Sequence, residues 1–539
     1  MKKIITTALT AFIVLNAGAQ TIYDGTLFSN KDLNGTARFV AMGGAMGALG
    51  GDLSTIGTNP AGIGIYRSND VAFTLDLNNL STKSSYEGNS FSRESNKLFF
   101  GNAGFVFANK IGNETSLRYV NFAFNYQRIK SFNREMRSAG SLGIFYDDNN
   151  YPHYLSQTMV MRNNADGLNQ DTWGDNPFML EDVGWLSALG YESWLIDWGT
   201  DNLYSSVAEG TSPYMNEFFS RERGGINQYD FNVSFNFSDR VYWGVTVGAY
   251  DLNYDKYTLY DESFYDDNTG NPYGDGYSLE SRNNVSGTGI DVKMGLILRP
   301  FEYSPFRIGL AVHTPTFYKL TWKTSAVLIS DLYTDNHGNP TDNTFQRTID
   351  TYDYTNGKDM AMEYQLHTPW TYNVSLGYTI GSSLALGAEY EYKDYASTRL
   401  YHPDGTEMAE ENDQMRNGGM KGVNTFRAGI EYKPIPQFAF RAGYTYSGAA
   451  FEKYAVKALP INSIYTDSDF SNSQELSNYT FGIGYKGKGF YADLTYKYST
   501  QKSEFYPFAY YESGTWYSPA ATHVTDNRSQ VLLTLGYRF

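Results

Sequence analysis

Histidine is the side chain best suited to proton transfer near neutral pH and to metal ligation. The six in this chain, His153, His313, His337, His367, His402 and His523, stand at no metal-ligand spacing, so neither a metal nor a haem site is expected. Cysteine is absent, which removes disulfide frameworks, thiolate metal sites, a catalytic thiol and a lipidated cysteine. A lipid hydrolase needs a Ser/His pair oriented by a third group, and no histidine has such a partner visible in the sequence. The acidic stretch Asp261-Glu262 to Gly270 lacks the spaced oxygens and closing Glu of a calcium loop and reads as a solvated loop tip. Gly43-Gly44 to Gly50-Gly51-Asp52 invites comparison with a phosphate-binding loop, but no strand precedes it and no Lys-Ser/Thr pair follows. The expectation is therefore a protein without catalytic residues and without a cofactor.

The chemistry left over is non-covalent capture of apolar molecules. Trp185, Leu186, Leu189, Trp194, Leu195 and Trp198 form an apolar cluster inside a long polar segment, 130–226, with partial helical spacing. Such a cluster on an otherwise polar exterior suits either a ligand-capture groove or a local core that folds the loop onto what lies beneath.

The elements that must position these residues are strands. Period-two alternation is strict in 490–498, where Phe490, Ala492, Leu494, Tyr496 and Tyr498 share one face and Tyr491, Asp493, Thr495 and Lys497 the other. Fourteen such segments are predicted, near 69–79, 98–109, 117–129, 227–237, 241–252, 284–299, 306–326, 360–380, 383–396, 422–433, 437–448, 477–486, 489–501 and 527–539. Short turns such as Gly381-Ser382 and Gly487-Lys488 alternate with long polar segments (80–97, 130–226, 253–283, 327–359, 397–421, 449–476, 502–526), the asymmetry of an outer-membrane barrel. Tyrosine, with 47 residues against 34 phenylalanines, suits strand ends at a boundary between oil and water. The polar face carries both signs, as in Glu389, Glu391, Lys393, Arg427 and Arg441, which requires a wet or internally paired lumen. The 539 residues therefore read as one all-β unit, a 14-stranded antiparallel transmembrane β-barrel over 68–539.

Before it, residues 1–19 have Lys2 and Lys3, an apolar stretch from Ile4 to Leu15, and Ala17-Gly18-Ala19, the layout of a signal peptide. No apolar run of 18 or more follows, so a helical membrane protein is excluded. A net charge of −16 argues against nucleic acid as a partner. Residues 20–67 are glycine- and alanine-rich, with Met42, Met46 and Leu49 at helical spacing and a turn at Asn59-Pro60. This segment is expected to be a partly helical hatch plugging the lumen.

Gly35-Thr36-Ala37-Arg38, Ala45 to Asp52 and Asn59-Pro60-Ala61 resemble the hatch of the FadL family, the long-chain fatty acid transporters of Gram-negative outer membranes, which also includes aromatic-hydrocarbon channels. Arg299-Pro300, Phe306 to Pro315 and Thr368-Pro369-Trp370 are similar to the family as well, and the long loops resemble its Bacteroidetes-like members. The resemblance implies capture of long-chain fatty acids on outer loops, passage past the hatch, and a sideways exit into lipid, by a monomer residing in the outer membrane. It implies ligand contacts for Ile22, Tyr23, Leu27 and Phe28, and recognition of the terminal Phe539 by the barrel-assembly machinery. Aromatic hydrocarbons or haem as cargo, and a surface adhesion role, remain alternatives. The family's exit depends on a kink in the third strand that glycine favours, yet Tyr119 to Tyr126 contains none, whereas the second strand has Gly101 and Gly104.

Overall fold

Alternating residues give a strand two chemically different faces, and closing such strands into a ring leaves no unpaired edge. The computed structural model describes residues 20–169, 172, 174–180, 182–198, 204–333, 344–460 and 462–539, and in it fourteen antiparallel strands close that ring. They are β1 (Asp70–Tyr86), β2 (Asn89–Lys110), β3 (Leu117–Ser131), β4 (Thr211–Phe237), β5 (Val241–Asp266) and β6 (Gly276–Leu298). β7 is split into Arg307–His313 and Phe317–Tyr333, and β8 into Met360–His367 and Thr371–Ile380. β9 (Leu384–Asp394), β10 (Gly422–Ile435), β11 (Phe438–Ser447), β12 (Phe470–Lys486), β13 (Phe490–Tyr506) and β14 (Thr522–Arg538) complete the set. β1 pairs with β14 from Asp70↔Arg538 to Ser85↔His523, which closes the barrel. Residues 1–19, expected to be a signal peptide, lie outside the described residues.

Several strands reach further at the long-loop end than their alternation predicts. β1 and β2 run on through 80–97 as a hairpin closed by Glu87 and Gly88, both at positive φ. β4 begins at Thr211, and β5 and β6 extend to Asp266 and from Gly276. In these extensions neither face has to meet hydrocarbon, so the apolar alternation fades while the backbone ladder continues.

On β1, Val71, Phe73, Leu75 and Leu77 are exposed while Ala72, Thr74, Asp76 and Asn78 are buried. The same apolar exterior recurs at Tyr372, Val374, Leu376 and Tyr378 of β8 and at Val531, Leu533 and Tyr537 of β14. A continuous belt of this kind is what a surface against hydrocarbon requires. Inside, charges neutralise one another. Arg427 reaches Glu389 at 2.8 Å and Glu391 at 3.1 Å, and Arg441 reaches Glu431 and Asp493 at 2.6 Å each. Lys293 lies 2.8 Å from both Asp230 and Asp291, with all three side chains buried. Pairing offsets the desolvation that an isolated buried charge would suffer.

Residues 20–66 lie against this inner wall. Helix α1 spans Ile22–Ser29, α2 spans Ala37–Ala41, and 3-10 turns cover Leu53–Gly57 and Pro60–Ile65. Backbone groups left unsatisfied by such short helices are taken up by strand side chains. Thr534 accepts from the Ala37 N–H at 2.7 Å, and Thr495 and Thr480 donate to the carbonyls of Ala37 and Ala41. Arg38 donates to Glu431 at 2.9 Å and to the Gly51 carbonyl at 2.9 Å. Gly43 has φ +61°, and a Cβ there would stand 2.8 Å from the Tyr444 nitrogen, so only glycine lets the segment come this close.

Candidate functional site

The Asn59-Pro60-Ala61 motif is a junction between the segment and the wall. Asn59 caps the second 3-10 turn, its Oδ1 accepting from the Ala61 N–H at 3.2 Å, while Nδ2 donates to the carbonyls of Gly47 at 2.9 Å and Leu296 at 3.3 Å. Pro60 stands at the first position of that turn, where its missing N–H costs nothing, and its carbonyl accepts from Ser234 at 2.8 Å. The motif thus locks the segment to β4 and β6.

The two sets of candidate ligand residues meet in one place. Trp185, Leu186, Leu189 and Leu195 are buried in the same apolar core as Ile22 and Phe28 of α1, and Tyr23 and Leu27 pack against it. The helix Gln157–Asn163 (α3), the helix Trp185–Glu192 (α4) and the inner faces of β5 to β7 contribute to this core. The Trp185 indole donates to the Phe178 carbonyl at 3.1 Å, and its backbone N–H donates to Ser463 at 2.8 Å. Tyr23 donates to Asn472 at 2.7 Å and stacks on Phe451 at 4.8 Å, while Phe28 meets Phe132 and Tyr254 edge-on. An open groove on the loop is therefore not what the described residues form. The loop folds onto the N-terminal helix because its apolar side chains and those of α1 each lack enough area to bury alone. Trp194 is the exception, 55% exposed with the Arg347 guanidinium over its ring at 5.2 Å. The Trp198 side chain lies outside the described residues.

Beneath this cap is a chamber of about 130 Å³, bordered by Asn30 to Asn34, Gln127, Ile129, His313, Lys393 and Arg427. A smaller cavity shares Lys31, His313 and Lys393 with it and adds the rings of Phe28 and Tyr318. Of the two lysines common to both, Lys393 lies 3.2 Å from Glu391, whereas Lys31 has no carboxylate within ion-pair distance among the described residues. Its ammonium donates to the Tyr250 hydroxyl at 3.2 Å and lies 5.1 Å from the centre of that ring. Burial pushes it down to about 8, against the pull of Asp291. Asp32, next in sequence, is held well below the usual carboxylate range. Burial alone would raise it, but Lys130 at 3.2 Å and Arg528 at 2.9 Å prevail.

The wall beside the chamber has a seam. The β2–β3 ladder runs from Lys110↔Tyr119 only as far as Asn102↔Gln127. Beyond it β2 stays with β1, through a register shift at Gly101, while β3 stays with β4. Arg128 places its guanidinium 4.3 Å from the Phe99 ring across the seam and donates to the Gly224 carbonyl at 2.8 Å. On the inner side Gln127 donates to the Asn34 carbonyl at 2.9 Å; on the outer side Phe100 is exposed and stacks on Tyr126. Gly101 signalled this irregularity in the sequence, whereas Lys31 carried only the weak signal of a cation within a glycine-rich segment.

Among the described residues, no group of His, Asp and Glu is arranged to hold a metal ion; His337 lies outside them. Phe539 is exposed, its backbone paired with Asn69 at the short-turn end.

Fold and interior define a closed fourteen-stranded barrel of the outer-membrane type, with its N-terminal segment held against the inner wall. Among solved structures it is similar to a Pseudomonas aeruginosa FadL homologue, at 12% identity over 94% of this chain and 99% of that one, with a TM-score of 0.51. It is similar also to a deltaS2 mutant of the TodX monoaromatic hydrocarbon channel, at 12% identity over 94% of this chain and all of that one (100%), with a TM-score of 0.50. No family model and no curated protein matches the chain.

Proposed function

We propose that this protein is an outer-membrane route for hydrophobic small molecules, with long-chain fatty acids as cargo, and that it works by diffusion without covalent chemistry. One observation carries this reading: a chamber under an apolar cap borders an unpaired seam in the lipid-facing belt. A water-filled pore offers an apolar solute nothing, whereas a route that opens sideways into hydrocarbon keeps it out of water. The seam between β2 and β3 is the exit in this scheme, and Gly101 and the turn of β3 away from β2 replace the missing third-strand glycine.

At about 130 Å³ the chamber is below the roughly 300 Å³ at which small-molecule sites begin. Passage therefore requires residues 20–67 to shift, and they act as the hatch. Lys31 selects a carboxylate head, since its ammonium has no carboxylate partner of its own. A second reading, aromatic hydrocarbons, is favoured by Phe28 and Tyr318 in the cavity wall and by the fold shared with a monoaromatic hydrocarbon channel. Uptake of labelled oleate in a host lacking its own transporter tests the choice. Oleate uptake supports the first reading, uptake of toluene but not oleate supports the second, and haem uptake or uptake of none of them overturns both.

A further inference from the structure

On the outward face above the apolar belt, three side chains on neighbouring strands stand in one register row: Arg221 of β4, Tyr257 of β5 and Arg282 of β6. The guanidiniums of Arg221 and Arg282 flank the Tyr257 ring, 5.4 and 5.9 Å from its centre. Neither arginine lies within ion-pair distance of a carboxylate among the described residues, and Arg221 Nε is buried without a hydrogen-bond partner. This differs from the barrel interior, where Arg38, Arg427 and Arg441 each hold a carboxylate.

Further cations stand below the row. Arg223 and Lys323 occupy the next outward row, joined through Asp255 and Asn284, and Lys319 stands level with Asp251, through Thr288. The last strongly exposed apolar residue on β5 is Val247, so Lys319 lies near the upper edge of the belt. Tyr257 stands ten residues beyond Val247, about 25 Å higher at roughly 3.3 Å per residue and a tilt of about 40°. Cations are thus set at successive heights from the belt edge outward, on a chain whose net charge is −16. Asp255, which borders the Arg221–Arg282 hollow, Glu280, which hydrogen-bonds with Tyr257, and Glu363, opposite Thr321 between the two lysines, are the carboxylates an anion would have to tolerate there.

We propose that this ladder binds the anionic headgroup of an outer-leaflet glycolipid, its sugar phosphates and carboxylates meeting Lys319, Lys323 and then the Arg221–Arg282 pair. Planar guanidiniums held against an aromatic ring are pre-organised for two-point contact with a phosphate or carboxylate. A soluble anion would need no series of contacts rising from the edge of a lipid-facing belt, whereas a lipid-anchored one is delivered to it in that order. The inference rests on the outer-membrane placement proposed above and not on the cargo.

The test uses the full barrel, purified in detergent and titrated with lipopolysaccharide carrying a phosphorylated core, with binding read by native mass spectrometry. The Arg221→Gln/Arg282→Gln double variant should hold the glycolipid about tenfold less tightly, and the corresponding Lys pair should recover part of the loss. Heat-modifiable gel mobility reports whether the double variant folds; if it does not, the exposed single variant Arg282→Gln takes its place. Equal binding by wild type and variant overturns the proposal, as does equal binding of the dephosphorylated glycolipid. Saturation of the site by inorganic phosphate alone, at the same concentration, would assign it to a soluble anion and overturn the lipid assignment. Oleate uptake should be unchanged in the variant, so failure of the transport reading and failure of this one are separable.

Discussion

The ammonium of Lys31 rests 3.2 Å from the hydroxyl of Tyr250 and 5.1 Å from the centre of the same ring, with no carboxylate within ion-pair distance among the described residues. The Tyr250 hydroxyl in turn donates to Asp291 at 2.5 Å, and Asp291 holds Lys293. The Asp291 charge thus reaches Lys31 only through a phenol, which leaves one cation on the chamber wall available to an incoming anion.

Replacing Lys31 by Met should weaken oleate binding about tenfold and leave toluene binding unchanged, as read by fluorescence displacement or calorimetry. The sign of the pH effect follows from the lowered value. Lys31 loses its proton as pH rises through about 8, while a bound carboxylate stays ionised, so oleate affinity should fall above pH 8 in wild type and stay flat in the variant. For stability the same lowering acts the other way: the unfolded side chain keeps its proton up to 10.5, so wild type should gain stability between pH 8 and 10.5.

Asp32 fastens the N-terminal segment to β3 and β14 through Lys130 and Arg528. Asp32→Asn removes one partner of a largely buried network and should cost about 3 kcal/mol at neutral pH. Because the folded carboxyl is held below its unfolded value, this contribution is present above about pH 4 and is lost as pH falls further. Planar-bilayer recordings should show frequent openings in the variant, and still larger conductance when 21–66 is deleted. A deletion that conducts no ions would contradict the hatch.

The absence of native cysteine lets the seam be closed chemically. With Phe99→Cys and Arg128→Cys joined through mixed disulfides by a short bis-methanethiosulfonate, oleate uptake should drop about tenfold and return when those disulfides are reduced. Unchanged uptake would place the exit elsewhere in the wall.

Trp185 and Trp194 should separate in their effects. Trp185→Ala leaves a cavity in the cap core and should cost about 3 to 5 kcal/mol there, seen as faster proteolysis of 142–210. Trp194→Ala removes an exposed ring and should change stability by less than about 0.5 kcal/mol. If Trp194 is the first contact for ligand, uptake at low oleate concentration falls in that variant alone.

The sequence by itself determined the barrel. Period-two alternation marks each strand locally, and long and short connections in strict alternation admit one closed antiparallel order, so all fourteen strands could be read without coordinates. That the lumen charges need water or one another was legible too, and the structure shows that they pair, as Arg427 does with Glu389 and Glu391. What tertiary structure alone decided was which distant residues share a space. Trp185 and Phe28 are separated by most of the N-terminal segment and the first three strands, yet they lie in one apolar core, because the area each buries depends on a partner that no local pattern names. The same holds for Lys31. In the sequence it is an ordinary lysine beside an aspartate, but Asp32 is engaged by β3 and β14, and only the closed barrel brings Lys31 to Tyr250 and away from any carboxylate of its own.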